Sequence, residues 1–416
     1  MKIIYAEVIT IGDEILYGQI TDTNSKWISE ELDKIGIKTI RKSSVGDQKQ
    51  QILNILDESL QRADIVLITG GLGPTKDDIT KKTMAEYFND ELVINPHAEE
   101  FVRSFFEKRG RPFTELNRQQ AAIPSRCTYL HNATGTAPGM WFDHDGKFIV
   151  SMPGVPIEMK YLMSNEVIPR LKSKFDLPEI VHKIIRTIGL GESFLAERIE
   201  NWEDSLPENI KLAYLPSFGE VKLRLTGIGE DRLKIEEQIE VQVKKLIPLI
   251  EEHIFSFENE EIEKSIGKIL NESETSLSVA ESCTGGYLSH LLTSIPGSSA
   301  YFMGGVVSYS NEAKMDVLKV KQETLTKFGA VSEQTVIEMA EGVRNLMKTT
   351  YGIATSGIAG PDGGTEEKPV GTVWLAVTDG KQTLTKKLSL GKIRIVNIEY
   401  SAKAALNFLR ILTKGK

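Results

Sequence analysis

The segment Asp64 to Thr69 reads Asp-Ile-Val-Leu-Ile-Thr and runs straight into Gly70-Gly71-Leu72-Gly73-Pro74-Thr75. A strand apolar along its length has no face to offer water, so it belongs inside a sheet covered on both sides. The surrounding pattern agrees. Glu7 to Ile11 is a largely β-branched run ending in Gly12-Asp13-Glu14, and helix periodicity follows from about Asn24 to Ile35. An extended stretch, Ile37 to Ser43, and a second helix pattern, Gln48 to Gln61, complete a strand–helix–strand–helix–strand unit. This alternation predicts a doubly wound, parallel-sheet α/β domain over residues 1–172. Ligands of such sheets bind beyond the carboxyl ends of the strands, where both glycine turns lie.

The same device recurs near the other end of the chain. Leu277 to Glu281 reads as a short buried strand, and Ser282-Cys283-Thr284-Gly285-Gly286 turns it into the helical pattern Tyr287, Leu288, Leu291, Leu292. Ser282 and Thr284 there suit either of two roles. They can cap the helix, or a hydroxyl can act as a nucleophile beside outward-pointing N–H groups. Residues 307–314, Val-Ser-Tyr-Ser-Asn-Glu-Ala-Lys, place Lys314 early in a helix capped by Ser310 or Asn311. A cation there opposes the helix dipole, which makes sense if the lysine activates a nucleophile. A third turn, Thr355 to Thr365, follows the strand Tyr351 to Ala354; its Ser356, Gly357 and Gly360 can bring backbone N–H groups close to a ligand. Gly-Pro-Asp-Gly-Gly within it is equally plain turn chemistry. His290, the histidine near these segments, sits too far into its helix for a histidine-based triad. Cys283 is the rival nucleophile, although a cysteine beside a buried strand usually packs as a small hydrophobe.

In the first domain, Lys76-Asp77-Asp78 follows the glycine turn. Acidic residues opening a helix complement its dipole. Together with Asp13 and Glu14 on another loop, they also suit a divalent cation that neutralises a diphosphate cradled by Gly70, Gly71 and Gly73. The spacing is neither that of a Walker loop nor a dinucleotide fingerprint. Asp143-His144-Asp145-Gly146 could suggest metal ligands, but Asp-Gly between apolar runs is a hairpin signal.

At 416 residues the chain is long enough for two to three domains of about 150 residues each. A net charge of −8 disfavours a general nucleic-acid surface, and two cysteines rule out a disulfide framework. No uncharged apolar stretch approaches the ~18 residues needed to span a bilayer, and the amino terminus meets a charge too early for a signal-peptide core. A cytoplasmic location is expected. Between the outer domains, residues 173–255 read as a strand, a helix, a hairpin around Pro216-Ser217-Phe218-Gly219, and a charged amphipathic helix. A hinge is expected at Ser256 to Glu261, opening a last domain over 256–416.

The three late segments, with Glu366-Glu367-Lys368-Pro369-Val370-Gly371-Thr372-Val373-Trp374, resemble the carboxyl-terminal domain of the CinA family of competence/damage-inducible proteins. The early motifs extend the likeness: Gly12 to Leu16, Asp22-Thr23-Asn24, Thr69 to Thr75, Asn132 to Gly139 and Met152 to Met159 look like the family's amino-terminal domain, itself similar to molybdopterin-binding domains. The resemblance implies a KH-like middle domain serving as a spacer or dimerisation module, since Gly189-Leu190-Gly191-Glu192 departs from the GXXG grip of nucleic-acid-binding KH domains. It implies two activities. The last domain would deamidate nicotinamide mononucleotide without a cofactor, through Ser282, Lys314 and Tyr309, with Thr284, Gly285 and Gly286 lining the oxyanion pocket. The first would hydrolyse ADP-ribose to AMP and ribose 5-phosphate at a magnesium, manganese or cobalt site. Thr75 and Asn24 would join the glycines in binding that substrate. The resemblance also implies a homodimer. Two other readings stay open: a competence-associated nucleic-acid-binding protein, and a molybdopterin-binding module in the first domain.

Overall fold

The structure, a computed structural model, describes residues 3–75 and 78–414. The chain divides into two compact units, Met1–Val181 with Ile228–Ile235, and His182–Gly227 with Glu236–Lys416.

The first unit is built on β1 (Ile4–Ile11), β2 (Ile37–Val45), β3 (Ile65–Thr69), β4 (Leu92–Ile94), β5 (Ala122–Pro124), β6 (Thr128–Leu130), β7 (Gly139–His144) and β8 (Lys147–Met152). Six of these form one sheet in the order β2-β1-β3-β8-β7-β6, while β4 and β5 pair separately. All five residues of β3 are buried, and its side chains alternate between two cores. Ile65 and Leu67 pack with Ile28 and Leu32 of the helix Thr23–Lys34, and Val66 and Ile68 with Ile52 and Leu56 of the helix Lys49–Arg62. Each such side chain contributes about 1.5–3 kcal/mol by leaving water. Strands β2, β1, β3 and β8 run parallel, but β7 and β6 are antiparallel to their neighbours. The doubly wound parallel sheet is as expected, with an antiparallel edge at the hairpin that Asp145-Gly146 signalled. The cause is local: Asp145 and Gly146 both take positive φ, closing the two-residue hairpin between β7 and β8.

In the second unit, β9 (Glu179–Ile188), β10 (Ile210–Ser217), β11 (Glu220–Gly229) and β12 (Ile254–Ser256) form a sheet in the order β10-β11-β9-β12. The hinge expected at Ser256 to Glu261 is a welded joint. Arg410, 1% exposed, reaches from the last helix to the carbonyls of Ile254 and Glu252, at 3.0 and 2.6 Å. Arg186 of β9 binds both Glu220 of β11 and, at 2.7 Å, Glu261. A Cβ on Gly219, at the hairpin tip, would stand 2.9 Å from the Tyr400 ring. The middle and last domains are thus one body, with charged side chains buried across the seam.

The remaining sheet has the order β14-β13-β15-β16-β17, from β13 (Leu277–Glu281), β14 (Phe302–Val307), β15 (Tyr351–Gly357), β16 (Thr372–Thr378) and β17 (Thr383–Ser389). Strand β13 runs parallel to both neighbours. Leu277 and Val279 pack with the helices Ile262–Glu272, Tyr287–Thr293 and Arg394–Lys414. On the opposite face, small residues Ala280, Ala354 and Ala376 admit the helix Glu333–Met347. Leaving β13 the chain turns to one face; after β14 it passes to the other. Ligands of α/β sheets bind where connections diverge in this way, here at the carboxyl ends of β13 and β14. Among the described residues no helix is long and apolar enough to cross a membrane.

Candidate active site

The carboxyl ends of β13 and β14 bring Ser282 and Lys314 together. Ser282 follows β13 directly, and its N–H donates to the Thr355 carbonyl at 2.9 Å. A second stitch between the same loops joins the hydroxyls of Thr284 and Thr355 at 2.7 Å. Lys314 lies on the helix Asn311–Asp316, capped by Ser310, whose hydroxyl accepts the Ala313 N–H. Its side chain is 1% exposed, with Nζ 3.2 Å from Ser282 Oγ and 2.6 Å from the Ser308 carbonyl. Among the described residues no carboxylate is bonded to that ammonium, and burial lowers its pKa from the ordinary lysine value, only partly opposed by the Cys283 thiol nearby. The neutral amine is thereby made accessible, which a base requires. Cys283 is buried too, and its thiol is pushed up to about 12, which keeps it protonated at neutral pH and unsuited to attack.

The helix Tyr287–Thr293 is not capped by Ser282. The buried Glu281 carboxylate accepts the N–H groups of Gly286, Leu288 and Ser289 at 2.9, 3.1 and 2.8 Å, and the Ser289 hydroxyl at 2.6 Å. The Gly285 N–H goes to the Ser282 carbonyl. Gly285 and Gly286 therefore do not offer free donors as expected; their left-handed φ angles shape the turn. The N–H groups of Cys283 and Thr284 have no acceptor on another described residue, and they are the donors beside Ser282.

Tyr309 is not joined to the pair. It is 63% exposed, and its hydroxyl accepts from Arg394 Nη2 at 3.1 Å. Arg394, which the sequence reading did not single out, also donates through Nη1 to the Gly360 carbonyl at 2.8 Å. The Ser356 hydroxyl is spent on the Ala330 carbonyl, and Gly357 pairs in the sheet with Val373. Gly360, at positive φ beside a cis Gly360–Pro361 bond, keeps a place at the loop.

The family models match in sequence order: "Probable molybdopterin binding domain" over residues 7–173, "Damage-inducible protein CinA KH domain" over 182–256, and "CinA C-terminal domain" over 259–413. A CinA-like protein of Cytophaga hutchinsonii is 54% identical over 98% of this chain and 97% of its own length. The chain belongs to the CinA family. A second CinA-like protein, from Flavobacterium psychrophilum, is 49% identical over 97% of each chain. Among solved structures, the competence/damage inducible protein CihA of Agrobacterium tumefaciens is 40% identical, covering 36% of this chain and 93% of that one with a TM-score of 0.36.

The first domain of this CinA-family chain holds a cleft of about 500 Å³ at the carboxyl ends of β1 and β3. Gly70, Gly71, Gly73, Glu14, Asn24, Asp78 and Glu158 line it. Gly70 is obligatory, since a Cβ there would stand 2.1 Å from the Ile11 carbonyl. Asn24 is pinned through Nδ2 to Thr69 Oγ1 and the Gly154 carbonyl, at 3.1 and 2.7 Å, leaving Oδ1 buried with no partner among the described residues. Glu158, unassigned by the sequence reading, has its carboxyl pKa raised by burial, although Asn132 donates to it at 2.6 Å.

The proposed metal ligands fare differently. Asp77 lies outside the described residues. Asp13 turns from the cleft: its Oδ1 would meet a Cβ on Gly46 at 2.5 Å. Asp78 accepts the Thr75 N–H at 2.9 Å and its hydroxyl, so Thr75 and Asp78 hold the turn itself. Asp78 also precedes the helix Thr80–Tyr87 and is not in its first turn. Among the described residues no three His, Cys, Asp or Glu are grouped to hold a metal ion. The described carboxylates do not fit a chelated cation.

Proposed function

We propose that the last domain hydrolyses the carboxamide of nicotinamide mononucleotide, giving nicotinate mononucleotide and ammonia. The buried Lys314 Nζ, 3.2 Å from Ser282 Oγ and bonded to no carboxylate among the described residues, supports a Ser–Lys acyl transfer. Neutral Lys314 takes the hydroxyl proton as Ser282 Oγ attacks the carboxamide carbon. The N–H groups of Cys283 and Thr284 receive the developing oxyanion. Lys314 returns its proton to the departing nitrogen, which leaves as ammonia, and water then releases the acyl group as a carboxylate. The nicotinamide nucleotide as substrate rests on the family likeness. Incubating the full chain with nicotinamide mononucleotide and identifying products by mass tests this reading. A one-dalton gain with ammonia release, absent in Ser282→Ala, is expected; unaltered substrate would end it.

A second reading concerns the cleft in the first domain, which we propose binds ADP-ribose and cleaves its diphosphate. The backbone at Gly70, Gly71 and Gly73, which carries no side chains beside β3, favours an anion there. Release of AMP and ribose 5-phosphate from ADP-ribose, assayed with and without added magnesium, manganese or cobalt, is the expected outcome. A pterin that co-purifies and competes with ADP-ribose would support the molybdopterin-binding alternative instead.

A further inference from the structure

Arg394 is an expensive residue in its position. It is the first residue of the helix Arg394–Lys414, where a cation opposes the dipole at a cost of about 0.3–1 kcal/mol. Its side chain is exposed, and no carboxylate among the described residues pairs with it. Its bonds go to two neutral oxygens, the Gly360 carbonyl and the Tyr309 hydroxyl. These belong to the loops leaving the carboxyl ends of β15 and β14, on either side of the strand that delivers Ser282. The charge is close enough to Cys283, the next residue, to act on its thiol.

Loop anchoring does not account for it. Asn397, one turn on and 1% exposed, already ties the Ala359 and Gly391 carbonyls together, both at 2.9 Å. Removing the guanidinium leaves that tie intact. A planar donor fork held at two points, with its remaining N–H groups and its full charge unspent, suits an oxyanion bearing several acceptors.

We propose that Arg394 is the specificity residue of the Ser282 site and receives the phosphate of a phosphorylated nucleoside substrate, so that the site prefers a nucleotide to the corresponding nucleoside. Tyr309 then acts by positioning: its hydroxyl orients one side of the guanidinium. The inference deepens the amidase reading and rests on it for the reaction, though not for the recognition.

The test compares nicotinamide mononucleotide with nicotinamide riboside, which lacks the phosphate. Wild-type enzyme should favour the mononucleotide in kcat/KM. Arg394→Ala should cut that preference by roughly 10- to 100-fold, mainly through KM, and Arg394→Lys should restore part of it. Binding of the two compounds to Ser282→Ala, with and without Arg394→Ala, gives an independent readout by calorimetry. Phosphate-selective loss of binding with no turnover in wild type would sink the amidase reading and keep this one. Equal losses for both compounds, or a wild-type enzyme indifferent to the phosphate, would overturn the proposal.

Discussion

Capping and catalysis fall to adjacent residues, Glu281 and Ser282, and substitution can separate them. In Glu281→Ala, the N–H groups of Gly286, Leu288 and Ser289 and the Ser289 hydroxyl lose their acceptor. Leaving a buried donor unmade costs about 1–3 kcal/mol, and Leu288 is fully buried while Gly286 and Ser289 are half-buried. Allowing water to reach the latter two, the loss should be about 3–5 kcal/mol, near the top of the range for single changes. Ser282→Ala forfeits one side-chain contact, the 3.2 Å bond to Lys314, so about 0.5–1.5 kcal/mol at most. Activity should order the other way. Ser282→Ala should lose several orders of magnitude in turnover per folded molecule, whereas folded Glu281→Gln, which keeps one acceptor oxygen, should retain measurable turnover. Urea titration of the full chain gives the stabilities, and ammonia release gives the rates. If Ser282→Ala unfolds as readily as Glu281→Ala and stays active when folded, the serine is a cap and the mechanism is wrong.

Lys314 must be neutral to accept the serine proton, so kcat/KM should rise with pH along a limb whose midpoint lies below the ordinary lysine value of 10.5, because burial depresses its pKa. A midpoint at or above that value would contradict the base assignment. The same depression means that protonated Lys314 is disfavoured in the fold, so its contribution to stability should grow as pH rises through the folded pKa towards the unfolded one. Lys314→Ala should abolish turnover, and the double variant with Ser282→Ala should be scarcely worse than either single one. A fragment beginning at His182 should unfold at higher urea than one beginning at Glu258, which lacks β12 and the carbonyls that Arg410 holds; equal midpoints would show the joint to be incidental. Asp78→Asn should weaken ADP-ribose binding by loosening the Thr75 turn while deamidation persists, which parallel assays of the two reactions would check.

The alternation of strands and helices was legible because an apolar run such as Ile65 to Ile68 admits one kind of environment. Lys314 stood out on the expectation that a cation early in a helix opposes its dipole, but the helix Asn311–Asp316 is six residues long and Lys314 falls in its last turn, where a cation complements the dipole. Glu281 did not stand out: a glutamate closing an apolar strand looks like a strand end, and its role depends on the chain folding back by a few residues. Arg394 does open its helix against the dipole, but its partners Tyr309 and Gly360 lie on distant loops. The orientation of Asp13 depends on Gly46, where the missing side chain leaves room for the carboxylate. The apparent hinge at Ser256 to Glu261 misled because its polar composition matches a linker, while the side chains that bind it, Arg186 and Arg410, come from far along the chain.

The Glu281 cap and the Thr355 stitches fix the course of the backbone through residues 282–284 with groups that take no part in bond-making. The scaffold therefore does not depend on which atom Ser282 presents. Evolution or design could exchange that hydroxyl for a thiol, or retune Lys314, without having to rebuild the turn. A lineage that keeps Glu281 and Thr355 keeps a mount on which new chemistry can be tried one side chain at a time.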